Sequence, residues 1–140
     1  MQAVLARGKS FRFRALGWSM LPFVQDGDVI SVSPFRDSQP GVGDVVAFMS
    51  PQTHRPIVHR VIARQGERYL IQGDNLSGIS DGFIPRDDII GRITRIERGG
   101  RDVNIGLGPE RRMIALLSRH GLLGPVLRRA SRLFHLVAGS

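Results

Sequence analysis

Between Gly27 and Glu97 the chain alternates short apolar runs with turn residues. The segments "DVISVSP", "DVVAFMSP", "IVHRVIAR", "RYLIQ" and "IIGRITRIE" are rich in Val and Ile, and each is bounded by Gly, Pro, Asp or Asn. Such runs read as short strands. No helical period separates them, so a βαβ rhythm is excluded and a mostly β body is expected. Two runs open alike, "GDVISV" at Gly27 and "GDVVAF" at Gly43. Two copies are too few for a repeat architecture, and they read as the openings of two neighbouring strands.

After the turn near "RGGRD" and the piece ending in "GLGPE" the period changes. Val126, Leu127, Ala130, Leu133, Phe134 and Val137 fall on one face of a helix, with Arg128, Arg129, Arg132 and His135 opposite. An earlier apolar segment, "MIALLSRHGLL", is set off by Gly124 and Pro125, so the tail reads as one kinked amphipathic helix or two short ones. Its apolar face can pack on the β body or on a second subunit, or it can lie on a membrane. The expected division is a β domain over 1–110 and a cationic helical tail over 111–140.

Composition narrows the chemistry. The chain has 140 residues, the length of one ordinary domain, with 17 glycines and 8 prolines marking many turns. It contains no cysteine, which excludes disulfides, a thiol nucleophile and a thiolate metal site. The net charge is +8, and all 12 acidic residues lie between Asp26 and Glu110. Both ends are therefore cationic around a nearly neutral body. That pattern argues against a uniformly basic nucleic-acid-binding domain and for termini that meet an anionic surface or simply solvent. No stretch approaches the roughly 18 apolar residues of a membrane span, and the N-terminal segment lacks a signal-peptide core. A cytoplasmic protein is expected, with peripheral membrane contact through the tail as one use of its charge.

Hydroxyl nucleophiles need a base, usually His, Lys or a carboxylate. The histidines are His54, His59, His120 and His135, and the single lysine is Lys9. Strand alternation puts Ile57, His59, Val61 and Ala63 on one face, with Val58, Arg60, Ile62 and Arg64 on the other. A histidine on an apolar face must find a partner, which a backbone carbonyl in the core would supply as well as a reacting group would. His54 and His59 are five apart, on opposite strand faces with no third ligand nearby, so neither a metal site nor a cofactor is expected. The segment "GDNLSGISDG", Gly73 to Gly82, reads as a loop with two carboxylates. Turn chemistry accounts for Asp74 and Asn75, whereas Asp81 also suits the orienting of a histidine.

Taken in order, "GWSMLP", "VGDVVAF", "IVHRVIA" and "GDNLSGISDGFIPRDDIIGRI" resemble the boxes of type I signal peptidases and the related LexA-like self-cleaving repressors, over roughly Leu16 to Ile96. The resemblance implies their mainly β fold of several coiled antiparallel sheets, here with a basic helical extension. It implies Ser19, followed by Met20, as nucleophile. Where bacterial members carry a lysine before an arginine, this chain has His59 before Arg60, which is similar to the endoplasmic-reticulum branch of signal peptidases. Carried over, His59 is the base and Asp81 orients it, with Asp74 the second choice. Many bacterial members have a serine where Gly17 stands, so the oxyanion hole here relies on the backbone N–H of Ser19 with that of Gly17 or Trp18. Met20, Phe23 and Phe83 are candidates to line a cleft for an extended peptide or protein substrate. Serine endopeptidase is thus the expected function, with a self-processing regulator or a non-catalytic binding module on the same fold as alternatives.

Overall fold

The computed structural model describes residues 9–36, 38–76 and 79–129. Its strands are β1 (Phe11–Arg14), β2 (Val29–Ser33), β3 (Val45–Met49), β4 (Pro56–Gln65), β5 (Arg68–Gln72), β6 (Ser80–Pro85), β7 (Ile89–Arg98) and β8 (Arg101–Asp102). All pair antiparallel in one continuous path ordered β1-β2-β7-β3-β4-β5-β6, with β8 on β7. The mainly β expectation is met, and the coiling arises within this one path, which register shifts bend in β2–β7, β3–β7, β4–β5 and β5–β6.

The two ten-residue strands organise the rest. β7 pairs with β3 near its start and with β2 along its remainder. β4 pairs with β3 through Pro56–Arg60 and with β5 through Arg60–Gln65. Between them, β3 is buried on both faces, which is why "VVAF" reads as an unbroken apolar run. Val45 and Ala47 enter one core with Met20, Val24, Ile30, Val32, Ile93 and Ile96. Val46 and Phe48 enter the other, with Val61, Tyr69, Ile71, Ile84 and Ile89.

The two Gly-Asp openings do not lie on adjacent strands, because β7 is inserted between β2 and β3. Their likeness has another cause. Each aspartate accepts the N–H three residues upstream, Gln25 to Asp28 and Gly41 to Asp44, both at 2.8 Å. Each also pairs with an arginine of β7, Asp28 with Arg98 and Asp44 with Arg92. The inserted strand therefore ties both turns.

Helix α1 (Arg111–Arg119) buries Ile114, Ala115 and Ser118. It stops at Gly121, whose φ of +72° suits a residue without a Cβ. There the Gly121 N–H bonds Ser118 O and the Leu122 N–H bonds Leu117 O, a doubly closed helix end. Residues 123–129 are again helical, so the described part of the tail is broken at Gly121, not at Gly124 and Pro125. Pro125 falls in the first turn of the second helix, where its missing N–H has no bond to lose. Leu123 packs with Phe23 and Ile114, and Leu127 lies against them, while Val126, expected beside Leu127, is exposed. Ala130, Arg132, Leu133, Phe134, His135 and Val137 lie outside the described residues. Among the described residues no helix is long and apolar enough to cross a membrane.

Burial pushes the Asp28 carboxyl up, but the Arg98 guanidinium and the Gln25 N–H outweigh it and hold the group below its ordinary value. A depressed folded value adds stability above the unfolded pKa of about 3.9, and that stability disappears as pH falls through the folded value. Asp28→Asn is expected to be less stable than wild type at neutral pH and to lose less on acidification below about pH 4. Urea unfolding followed by circular dichroism checks both, and equal stability at neutral pH would contradict the role given to this pair.

Candidate active site

Ser19 stands in the turn between β1 and β2. Beneath it Met20 is buried, and its carbonyl accepts the N–H groups of Phe23 and Val24, which anchors the turn to the first core. His59 projects from β4 opposite Val46, on the face with Ile57 and Val61 that strand alternation assigned to it. Its ring lies 6.0 Å from that of Phe48.

The structure brings three of the candidate residues into one chain of contacts. Ser19 Oγ lies 2.9 Å from His59 Nε2, and His59 Nδ1 lies 2.6 Å from Asp81 Oδ2. An ionised carboxylate only accepts, so Nδ1 carries the proton it donates to Asp81. In the neutral ring Nε2 is then bare and accepts from the Ser19 hydroxyl. The imidazole is almost wholly buried, while Asp81 keeps partial contact with solvent.

Asp81 is not in a loop. It is the second residue of β6, and the pairings Leu70↔Phe83 and Gln72↔Ser80 leave Asp81 and Gly82 together opposite Ile71. That extra residue is a β-bulge, a device that re-aims a side chain, and it falls at the residue that meets His59.

Asp74, the second choice for orienting His59, is committed elsewhere. It forms a buried ion pair with Arg60, Nε to Oδ1 at 2.9 Å and Nη2 to Oδ2 at 2.8 Å. Arg60 is 0% exposed. Its Nη1 donates to the carbonyls of Gly43, at 2.9 Å, and Gly106, at 2.7 Å, and its guanidinium lies 5.4 Å from the Phe23 ring centre. Burial pushes the Asp74 carboxyl up from its ordinary value against the pull of Arg60.

The ion pair sets the neighbouring backbone against the Ser19 turn. Asn75 donates its N–H to Ser19 O at 2.8 Å and its side-chain amide to Trp18 O at 3.1 Å. Gly73 passes so close that a Cβ there would sit 2.7 Å from Ser19 O and 3.0 Å from His59 Nε2. Arg60, Gly73 and Asn75 thus belong to the site although strand alternation and turn chemistry gave them no part in it. The signal in the sequence was an arginine between Val58 and Ile62 on one face of the strand "IVHRVIA".

Of the proposed oxyanion donors, Gly17 is engaged, since its N–H donates to Asp26 Oδ1 at 2.8 Å. Among the described residues no hydrogen bond takes up the N–H of Trp18 or Ser19. Beside Ser19 and His59 opens a cleft of about 450 Å³ walled by Phe13, Ala15, Met20, Ile30 and Val58. Met20 lines it as expected. Phe23 does not, because it packs under the helices with Ile114 and Leu123. Phe83 stands half-exposed on β6, also outside the cleft. No group of side chains suited to a metal ion occurs among the described residues.

A family model described as signal peptidase, peptidase S26, matches residues 2–79, which hold Ser19, His59, Arg60 and Asp74 and stop short of Asp81. No curated protein matches the chain.

Removing Arg60 leaves a buried carboxylate without its partner. Arg60→Met is expected to destabilise the fold by about 3–5 kcal/mol, and Arg60→Met with Asp74→Leu to recover part of that loss. Denaturant titrations of the two variants measure the difference. A double variant no more stable than Arg60→Met would contradict the pairing.

Proposed function

The chain belongs to the signal peptidase family, peptidase S26, and from that we propose that it is a serine endopeptidase acting through Ser19, His59 and Asp81. A peptidase family implies a peptide or protein substrate. The observation that carries the residue roles is the run of contacts from Ser19 Oγ through the His59 ring to Asp81, at 2.9 and 2.6 Å.

In this reading Ser19 Oγ attacks the scissile carbonyl while His59 Nε2 takes its proton. Asp81 holds the tautomer that leaves Nε2 free and stabilises the imidazolium that forms. The N–H groups of Trp18 and Ser19 take the oxyanion, where a donor already in place counts most. His59 then gives the proton to the leaving amine, and a water activated by the same nitrogen releases the acyl group from Ser19. A histidine in the base position follows the endoplasmic-reticulum branch rather than a Ser/Lys dyad.

The substrate fits as an extended strand along the Phe13–Gly17 side of the cleft, where β1 is the last strand of the sheet path and pairs only with β2 among the described residues. The apolar walls next to Ser19 then receive its side chains. Residues 1–110 form the catalytic unit in this reading and 111–140 its cationic extension.

The test is digestion of a peptide mixture by purified protein, with products read by mass spectrometry. Wild type should generate new peptides, and Ser19→Ala and His59→Ala should generate none. Asp81→Asn keeps the shape but favours the wrong tautomer, and kcat should fall on the order of 10³–10⁴-fold. Turnover that survives Ser19→Ala, or a wild type that cleaves nothing, would sink the reading.

A further inference from the structure

On the N-terminal side of Ser19, from Leu16 to Trp18, the backbone has little packing to hold it. Leu16 is 88% exposed and Trp18 67%, and a Cβ built on Gly17 would meet nothing within 4 Å. Gly17 has φ +91°, a conformation open to glycine and costly for other residues. The position of this turn is therefore set largely by hydrogen bonds: one within it, from the Leu21 N–H to Trp18 O at 3.2 Å, and others from two sides. Asn75 holds the carbonyls of Trp18 and Ser19. Asp26 holds the N–H of Gly17 at 2.8 Å.

Peptide planarity turns these bonds into a constraint on the N–H groups. The Trp18 carbonyl and the Ser19 N–H share one rigid trans unit, so fixing the carbonyl aims the N–H the opposite way. The Leu16–Gly17 unit is fixed likewise by the bond to Asp26. Between the two lies the Gly17–Trp18 unit, which carries the Trp18 N–H and hinges on the most permissive residue of the turn. With its preceding unit released, that hinge is free.

Resting on the peptidase reading above, we propose that Asp26 is a positioning residue, which takes the Gly17 N–H and thereby fixes the Trp18 N–H as an oxyanion donor beside the Ser19 N–H that the bonds to the Trp18 carbonyl already aim. The contact uses the oxygen as an acceptor and has no use for the charge. A carboxylate near a developing oxyanion is in itself unfavourable, so an amide oxygen at the same place should serve at least as well.

The experiment compares kcat and KM for wild type, Asp26→Asn and Asp26→Ala on one peptide that wild type cleaves, with thermal midpoints as the check on folding. Asp26→Ala should lower kcat by about tenfold or more while KM stays within about twofold, since loss of alignment acts on the transition state. Asp26→Asn should keep kcat at or above the wild-type value. Should Asp26→Ala fail to fold, Asp26→Ser serves, because serine suits the turn but its oxygen falls one atom short, and the same loss is expected. In wild type the Gly17 amide proton should resonate downfield of its position in Asp26→Ala or Asp26→Ser. A kcat unchanged in the folded Ala or Ser variant, or a loss in Asp26→Asn as large as in Asp26→Ala, overturns the proposal. Failure of the peptidase reading looks different: wild type then neither cleaves peptides nor reacts at Ser19 with a fluorophosphonate, and the role of Asp26 falls with it.

Discussion

A guanidinium and a carboxylate, both out of contact with water, lie next to the candidate active site, and much of the molecule converges on them. Each ion taken from water costs several kcal/mol even after relaxation, and attraction offsets that cost only when the remaining donors and acceptors are also satisfied. Arg60 meets that condition through Asp74, Gly43 and Gly106. Its partners come from the opening of β3, the segment after β5 and the stretch before α1, while Phe23 beneath it joins the helices to the body. Four distant pieces of chain thus share one side chain as their common anchor.

The location of that anchor matters for the site. His59 and Arg60 are consecutive on β4, so strand geometry sends them to opposite faces. One strand therefore places the imidazole against Ser19 while its next residue fastens Asp74, whose neighbours Gly73 and Asn75 grip the Ser19 turn. The geometry around Ser19 is enforced from both faces of the sheet by residues adjacent in sequence. Within the turn the large apolar side chain next to Ser19 that is buried is Met20.

What the sequence made legible follows from what periodicity can encode. Five strands rich in Val and Ile stood out, as did the face of β4 that carries His59. β6 did not, because "SDGFIP" opens with three residues poor in strand propensity and is assembled by pairing with β5. For the same reason Asp81 read as a loop residue: a bulge depends on the register of a partner strand, which one strand's own pattern does not contain. The insertion of β7 between β2 and β3 is likewise a cross-strand fact, so the two Gly-Asp turns looked like neighbours. The tail break was misplaced because Gly124 and Pro125 resemble a breaker, yet proline in a first turn is harmless and the left-handed residue is Gly121. The roles of Arg60 and Asp26 escaped because hydrogen-bond partners 14 and 9 residues away leave no periodic trace.

β6 terminates the sheet path, with β5 as its one strand neighbour among the described residues. Edge strands open at lower free energy than the strands inside a sheet. The carboxylate that touches His59 thus hangs on a peripheral part of the fold, whereas Ser19 and His59 are tied to its two cores. On warming, Asp81 should part from the imidazole while Ser19 and His59 remain in contact. The molecule then passes through a regime in which it is still folded but the run of contacts from Ser19 to Asp81 is one link short, so that loss of this array and loss of structure become separate thermal events.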